Sequence, residues 1–166
     1  MFGPPRHLSL LPGLTAETRE WPVPFTDGLP LLDGLKGRRV VVLASGDPFW
    51  FGAGSTLARR YGASALRALP APSTFSLAAS RLGWKLETTL CLGLHAAPLS
   101  RLRPHLAPGQ RALCLLRDGA AVQEVGKYLS EIGFGETHVT VLEALGGPRE
   151  RITATTVTDL DTTTFQ

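Results

Sequence analysis

The side chains best suited to chemistry lie at the end of an apolar run. Residues Val40 to Ser45 are mostly β-branched and apolar, and Gly46, Asp47 and Pro48 follow them directly. Such a run predicts a strand buried on both faces, and ligands of open α/β sheets bind at the carboxyl ends of strands. The Asp47 carboxylate is therefore a candidate ligand contact, although an aspartate before proline also forms turns that cap the next helix.

Two glycines and two further turns extend this candidate site. Gly52 and Gly54 stand at a predicted helix start, where they serve either a close backbone–ligand approach or the packing of the helix. Segment 70–76 is a second strand-to-helix turn, and segment 143–151 places a Gly-Gly-Pro corner among charged residues. For each charge at that corner, an ion-paired surface turn is the alternative interpretation.

The remaining reactive side chains form no recognised catalytic pattern. His95 ends another predicted strand, where it is either a base or carboxylate partner, or an ordinary half-buried histidine. No spacing of His, Cys or carboxylates matches a metal site, and there is no Gly-x-Ser-x-Gly elbow or Walker loop. Cys91 and Cys114 lie in apolar runs, which predicts buried free thiols. We therefore assign no metal ligand and no catalytic residue.

Composition narrows the class of protein. The 166 residues carry a net charge of +3, and 14 of the 17 basic residues are arginine. Arginine binds a carboxylate or phosphate through two parallel hydrogen bonds, which would suit an anionic substrate. The alternative explanation for the high arginine content is genomic base composition. There is no dense basic run to indicate nucleic-acid binding and no apolar stretch of about 20 residues to span a membrane. The start lacks a signal-peptide pattern, so we expect a cytoplasmic protein.

Predicted strands and helices alternate along the chain, which favours an α/β fold. We expect strands at 40–45, 65–69, 88–95, 112–116, 138–145 and 152–157. We expect helices at 26–35, 54–61, 73–82, 98–106 and 120–132, with Ser73 and Asp118 at helix starts and Gly133 as a stop. Residues 1–24 hold five prolines and no clear strand. We therefore expect that a strand upstream of Met1 is missing, which would leave unpaired sheet edges.

Four segments together resemble the tetrapyrrole methylase family: Ser45-Gly46-Asp47-Pro48-Phe49, Pro70-Ala71-Pro72-Ser73, Arg81-Leu82-Gly83-Trp84 and the run from Glu143 to Ile152. The second and the fourth of these segments point to the branch that methylates carbon 5 of a corrin precursor in cobalamin biosynthesis. The resemblance implies two α/β subdomains, 1–86 and 87–166, with S-adenosylmethionine in the cleft between them. It also implies a mostly parallel first sheet that lacks the family's first strand, and a mixed second sheet.

The resemblance also implies roles for particular residues. Those that would border the methyl donor are Gly46, Asp47, Trp50, Ser73, Thr74, Leu116 and Ala144. Candidates for holding the carboxylates of a tetrapyrrole substrate are Arg149, Arg151 and His95. The implied reaction is direct displacement at the sulfonium methyl by a ring carbon, which depends on alignment and on exclusion of water. Implied partners are a second copy in a homodimer and a separate subunit that methylates carbon 15 and carries out the decarboxylation.

This sequence departs from the family pattern at several positions. His95-Ala96-Ala97 replaces the family's His-Gly-Arg, Leu116 replaces a threonine, and residues 161–166 are a poor match to the family's final strand. Two other functions therefore stay open. One is a non-catalytic or truncated remnant that keeps the fold without turnover. The other is a methylase of the same superfamily that acts on RNA or protein, and the basic composition favours it.

Overall fold

The structure is a computed structural model that describes residues 1–162 and 165. The chain forms two compact units, Met1–Ala71 and Pro72–Gln166. The predicted subdomain boundary, between residues 86 and 87, lies further along the chain and stays a prediction. Both units combine helices with short strands, so the α/β fold class is confirmed.

The first unit contains a short parallel sheet that the sequence did not reveal. Strand β1 (Phe2–Gly3) pairs in parallel with β2 (Arg19–Glu20). On its other side, Phe2 forms an isolated parallel bridge with Val42, with a 2.8 Å hydrogen bond from the Phe2 amide to the Val41 carbonyl. A two-residue strand carries no periodic pattern, which is why the sequence gave no sign of β1 or β2.

The valine-rich segment differs from its prediction. The structure assigns a single bridge at Val42 where we expected a strand over 40–45. The prediction of burial on both faces is wrong, because Val40 and Val42 pack against the core while Val41 is 45% exposed. Alternate side chains of an extended segment point to opposite faces, and only one face is covered here.

Helices surround this sheet in the first unit. They are α1 (Pro5–Leu8), α2 (Leu29–Asp33), α3 (Gly54–Tyr61) and a 3-10 helix at Phe25–Gly28. The helix predicted at 26–35 is thus a 3-10 turn leading into α2, and α3 has the predicted bounds. The core consists of Phe2, Leu32 and Leu57 with partly buried neighbours that include Trp21 and Phe25. The Trp21 and Phe25 rings stack at 4.7 Å between centroids.

The strand predicted at 65–69 is wrong. A 3-10 helix spans Ala63–Ala65, and residues 66–73 form no strand. Leu69 is 77% exposed. A strand needs a hydrogen-bonded neighbour, and no described residue pairs with 66–69.

The second unit holds most of the regular structure. Its helices are α4 (Thr74–Leu82) and α5 (Gly119–Glu131), with 3-10 helices at Leu86–Thr88, Leu99–His105 and Thr158–Thr162. Strands β3 (Leu90–Gly93) and β4 (Ala112–Leu115) pair in parallel, whereas β5 (His138–Glu143) and β6 (Arg151–Thr156) pair antiparallel. These strands fall inside the predicted ranges or within one residue of them. The helix expected at 98–106 is 3-10 and contains Pro104, which has no N–H for an α-helical bond.

The predicted helix caps are confirmed. The Ser73 hydroxyl accepts a hydrogen bond from the Ser76 amide at 3.1 Å, and the Asp118 carboxylate accepts one from the Ala121 amide at 2.9 Å. Gly133 follows α5 with φ of 88°, a value that glycine adopts without strain. These local signals fix the starts of α4 and α5 and the stop after α5.

Two apolar clusters hold the second unit together. In one, Phe75, Ala78 and Ala79 of α4 pack against Leu113 of β4, with Leu142 and others beside them. In the other, Val122, Val141, Leu160 and Phe165 come together, with Leu116 and Val139 at the edge. The uncertain final strand at 161–166 falls partly outside the described residues; Thr158–Thr162 is a 3-10 helix. Within the described part of the chain, no helix is both long and apolar enough to cross a membrane.

Candidate functional site

The Gly46-Asp47-Pro48 segment of the first unit is a tight turn held by its own backbone and by Asp47. Gly46 has φ of 59°, where a side chain would add strain. The Asp47 carboxylate accepts a 2.8 Å hydrogen bond from the Phe49 amide, and the Asp47 carbonyl accepts one of 3.2 Å from the Trp50 amide. The turn-forming role of Asp47 is therefore present in the structure, and it leaves a half-buried carboxylate at the surface of the turn.

Gly52 and Gly54 fit closely against the same turn. A Cβ atom added at either position would lie 2.7 Å from the Pro48 carbonyl oxygen, too close for any real side chain. The Gly54 amide donates a 2.7 Å hydrogen bond to that oxygen. Both glycines therefore allow the start of α3 to approach the turn, and this close contact fixes the position of Asp47.

Three consecutive aromatic residues border the turn. Phe49, Trp50 and Phe51 are 51%, 39% and 46% exposed, an unusual concentration of apolar rings at a surface. Phe51 also has φ of 54°, and strained backbone of this kind concentrates at binding and catalytic sites. Exposed rings beside a polar turn can stack on a planar ligand.

His7 lies beside Leu43, in the segment that leads into this turn, and was not singled out by the sequence. It sits on α1, four residues after β1 ends, and its ring makes a hydrogen bond to the backbone of Leu43. Burial, and then the positive charge of Arg6, lower the pKa of His7. Its Nδ1 atom is buried and finds no hydrogen-bond partner among the described residues. The sequence offered no signal for this position, because β1 itself carries no pattern.

The second unit contains a cavity of about 1140 Å³. Three of the predicted donor contacts, Thr74, Leu116 and Ala144, line it together. They come from the first residue of α4 and from the positions immediately after β4 and β5. Ala144 has φ of 49°, a left-handed conformation that is rare for a residue other than glycine. Ser73 is 5% exposed and is occupied as the N-cap of α4.

The charged corner after β5 forms two ion pairs. Arg151 binds Glu143 through two hydrogen bonds of 2.6 and 2.9 Å, and Arg81 binds Glu150 through two of 2.6 and 3.0 Å. The Gly146 amide also donates to Glu150, at 2.7 Å. The hydrogen bonds from Arg81 and then Gly146 lower the pKa of Glu150 to about 2. The ion-paired interpretation of this corner therefore holds for Arg151.

The three predicted substrate contacts do not line the cavity. Arg151 is engaged with Glu143, Arg149 is exposed on the same corner, and His95 is exposed in the loop after β3. Their predicted role stays a prediction. Arg149 keeps an exposed guanidinium outside both ion pairs, which leaves it the better candidate of the two arginines for an anionic group.

The described residues contain no group of three or more His, Cys, Asp or Glu that could hold a metal ion. Cys91 and Cys114 are free thiols. The register pairs Cys91 with Leu113 and Cys114 with Leu92, so the two thiols point to opposite faces of the sheet. Burial, and then the neighbouring Cys91, raise the pKa of Cys114 to about 11.

Comparison with known proteins identifies the family. Residues 33–161 match the tetrapyrrole (corrin/porphyrin) methylases. The chain also resembles two solved structures over most of its length. One is the methyltransferase CobJ, with a TM-score of 0.68 and 23% identity over 95% of this chain and 74% of that one. The other is the cobalt precorrin-4 methyltransferase CbiF, with a TM-score of 0.64 and 21% identity over 97% and 75%. The chain belongs to the tetrapyrrole methylase family, and the predicted fold is confirmed.

Two curated relatives narrow the branch. A precorrin-6Y C(5,15)-methyltransferase [decarboxylating] from Sinorhizobium sp is 49% identical over 154 residues, which is 92% of this chain and 37% of that protein. A protein of the same name from Mycobacterium tuberculosis (strain CDC 1551 / Oshkosh) is 40% identical over 156 residues, 91% of this chain and 38% of that protein. The chain thus spans a little over a third of the length of these relatives. The predicted family resemblance is confirmed.

Proposed function

We propose that the chain binds S-adenosylmethionine and transfers its methyl group to carbon 5 of a corrin precursor of the precorrin-6Y type. The observation that carries this proposal is the 49% identity, over 92% of the chain, to a relative named as a precorrin-6Y C(5,15)-methyltransferase. Tetrapyrrole methylases use S-adenosylmethionine in general. The assignment of the cofactor and of the carbon to this chain is our proposal.

The local structure suits a nucleoside ligand with a charged centre. The turn at Asp47 presents a carboxylate on backbone held rigidly by Gly52 and Gly54, and exposed aromatic rings border it. A carboxylate accepts hydrogen bonds from ribose hydroxyls or attracts a positive charge. Thr74, Leu116 and Ala144 line a single cavity. We propose that these residues, with Gly46, Trp50 and Ser73, contact the methyl donor.

S-adenosylmethionine supplies an electrophilic methyl group on a sulfonium, so the chemical step needs no strong protein acid or base. The protein contributes alignment of a nucleophilic ring carbon with that methyl group, and exclusion of water. We propose that the backbone conformation at Asp47 and Ala144 serves the alignment. We propose that the exposed aromatic rings beside Asp47 exclude water by covering the planar substrate, and that Arg149 pairs with one of the substrate's carboxylates.

We further propose that residues 1–166 carry the carbon-5 activity. The relatives are named for carbons 5 and 15 and for decarboxylation, and the chain matches a little over a third of their length. We propose that the carbon-15 methylation and the decarboxylation are carried by polypeptide outside residues 1–166. We also propose that the chain forms a homodimer and works in the cytoplasm.

Methyl transfer by the full 166-residue chain tests the reaction. The purified protein is incubated with S-adenosylmethionine carrying a ¹³C-methyl group and with the corrin precursor, and the product is examined by NMR. The expected result is one labelled methyl at carbon 5. A label at another carbon would refute the assignment of position. Donor binding without any transfer would favour the non-catalytic alternative, for which the exposure of His95 outside the cavity is the supporting observation.

The Asp47→Ala and Asp47→Asn variants test the role of the turn. Asparagine keeps an oxygen that accepts from the Phe49 amide and removes only the charge, whereas alanine removes both. We expect calorimetry to show weaker donor binding for both variants and lower thermal stability mainly for Asp47→Ala. Unchanged donor affinity in Asp47→Asn would show that the carboxylate charge does not contribute to donor binding and that Asp47 serves only to form the turn.

A further inference from the structure

The loop that joins β5 to β6 has an unfavourable backbone conformation. It spans residues 144–150, between the end of β5 and the start of β6, and we call it the corner loop. Ala144 has φ of 49° and Gly146 has φ of 77°. Glycine adopts such a value freely, but alanine does so only where surrounding contacts enforce it. The cause of the conformation at Ala144 must therefore lie in the contacts of the loop.

Backbone hydrogen bonds shape the corner loop from within. The Gly147 amide donates to the Ala144 carbonyl at 3.0 Å, and the Glu150 amide donates to the Gly147 carbonyl at 3.1 Å. These two bonds form successive turns. Both of them join residues of the loop to each other, so they do not fix the loop against another element.

The Glu150 carboxylate connects the corner loop to α4. Its Oε1 atom accepts a hydrogen bond from Arg81 Nε at 2.6 Å, and its Oε2 atom accepts one from Arg81 Nη2 at 3.0 Å. The same Oε2 atom accepts from the Gly146 amide at 2.7 Å. Paired hydrogen bonds between an arginine and a carboxylate fix orientation as well as distance. One carboxylate thus joins the loop backbone to the last turn of α4.

Apolar contacts place the corner loop on the same helix. Leu145 packs against the cluster that contains Phe75 and Ala78 of α4. A Cβ atom added at Gly146 would lie 3.5 Å from Cδ1 of Leu77, which is also on α4. The helix begins at Thr74, which lines the cavity of the second unit together with Ala144. Helix α4 therefore carries one proposed donor contact and supports the loop that carries the other.

We propose that Arg81 and Glu150 are positioning residues for the methyl donor. Their ion pair keeps the corner loop against α4, so that the main chain of Ala144 stays in place to contact the donor. Neither side chain lines the cavity, so both act through the loop and not on the donor itself. This inference rests on the proposed function, because it takes the donor site to include Ala144.

The other ion pair at this corner does not have this role. Arg151 and Glu143 face each other in the β5–β6 register, and the backbone ladder already fixes their positions. Arg81 and Glu150 are 69 residues apart in the chain, and their side chains join a helix to a loop. Without that connection the corner loop gains freedom, and ordering it again opposes donor binding.

A set of variants of the full chain tests the inference. Arg81→Gln breaks the ion pair and leaves the Glu150–Gly146 hydrogen bond, whereas Glu150→Ala removes both. The double variant completes a mutant cycle. The matched control is Arg60→Gln, which breaks the Arg60–Asp33 pair of the first unit; the Arg60 and Arg81 side chains are similarly exposed, 43% and 38%.

Three measurements are made on each variant. Calorimetry gives the dissociation constant of S-adenosylhomocysteine, and urea unfolding gives the stability. Amide NMR spectra of the protein without ligand report on the backbone of Ala144 and Gly146. The spectra need no donor, so they test the connection between the ion pair and the loop separately from the donor site.

We expect Arg81→Gln to weaken binding of S-adenosylhomocysteine about threefold to tenfold, and Glu150→Ala to weaken it at least as much. Adding Arg81→Gln to Glu150→Ala should cause no further loss, because the two residues act as one unit. The amide signals of Ala144 and Gly146 should shift in both single variants. Arg60→Gln should lower the stability by a similar amount and leave both the donor affinity and these two signals unchanged.

Several results would overturn the inference. One is unchanged donor affinity in Arg81→Gln and Glu150→Ala, and another is an unchanged Ala144 signal in both. Losses of affinity that add in the double variant would show that the residues act independently, and an equal loss in Arg60→Gln would show general destabilisation. Absence of donor binding by the unmodified chain would refute the proposed function and this donor role together. Normal binding by that chain and by every variant would refute the present inference alone.

Discussion

The close contact between Gly52 and the Asp47 turn leads to a sharp prediction for Gly52→Ala. The added Cβ would lie 2.7 Å from the Pro48 oxygen, 3.0 Å from the Pro48 carbonyl carbon and 3.1 Å from the Asp47 oxygen. All three neighbours are backbone atoms, so no flexible side chain can move aside. Overpacking of this kind costs about 1–3 kcal/mol, and it must displace the turn.

Gly34→Ala is the matched control in the same unit. Gly34 follows α2 with φ of −67°. A Cβ atom added there would lie 3.7 Å from the Leu31 carbonyl oxygen, its nearest neighbour, which is an ordinary contact. Both substitutions reduce the entropy of the unfolded chain, a gain of about 0.4–1 kcal/mol each. That gain cancels when the two variants are compared, which leaves the overpacking cost alone.

Urea unfolding of the two variants measures this difference. We expect Gly52→Ala to be less stable than Gly34→Ala by about 1–3 kcal/mol, and to bind S-adenosylmethionine more weakly because the turn has moved. Gly34→Ala should bind like the unmodified chain. Equal stability and equal donor affinity in the two variants would refute the argument that Gly52 positions the turn.

Three further predictions concern the second unit. Arg81 lowers the pKa of Glu150 to about 2, so this ion pair stabilises the unmodified chain above pH about 4.5 and stops doing so as the pH falls toward 2. Glu150→Gln should remove that stabilisation. Unfolding curves across this pH range check the prediction, and a pH dependence of stability equal to that of the unmodified chain would contradict it. Asp118→Ala should lower the free energy of unfolding by about 0.5–2 kcal/mol, because it removes the hydrogen bond that caps α5. Urea unfolding measures this change, and a smaller loss would count against the cap. Cys114 should react with iodoacetamide at pH 8 far more slowly in the folded chain than in urea, because burial raises its pKa to about 11. Mass spectrometry of the labelled peptide measures both reaction rates, and equal rates would disprove the prediction.

The sequence predicted elements well where local signals mark their ends. Ser73 begins α4, and Asp118 and Gly133 bound α5. Each of these residues acts on its own neighbours in the chain. Strands are different, because a strand exists only where another segment pairs with it. The segment 65–69 has strand-like residues and no described partner, whereas β1 at Phe2–Gly3 has partners on both sides and no pattern.

The candidate site was predictable to a similar degree. The turn at Asp47 and the caps of α4 follow from residue types alone. The grouping of Thr74, Leu116 and Ala144 around one cavity depends on packing between distant segments, and only the family resemblance named them together. The pairing of Arg151 with Glu143 depends on the β5–β6 register, which the sequence does not state. Because of that pairing, we propose an anion-binding role for Arg149 rather than for Arg151.

The most direct test of the central proposal is NMR titration of the isotopically labelled chain with S-adenosylhomocysteine, the demethylated donor. The account predicts amide shifts at Gly46, Asp47 and Trp50 in the first unit and at Thr74, Leu116 and Ala144 in the second, saturating together at a single dissociation constant. Absence of shifts in the folded protein, or shifts confined to other residues, would contradict it.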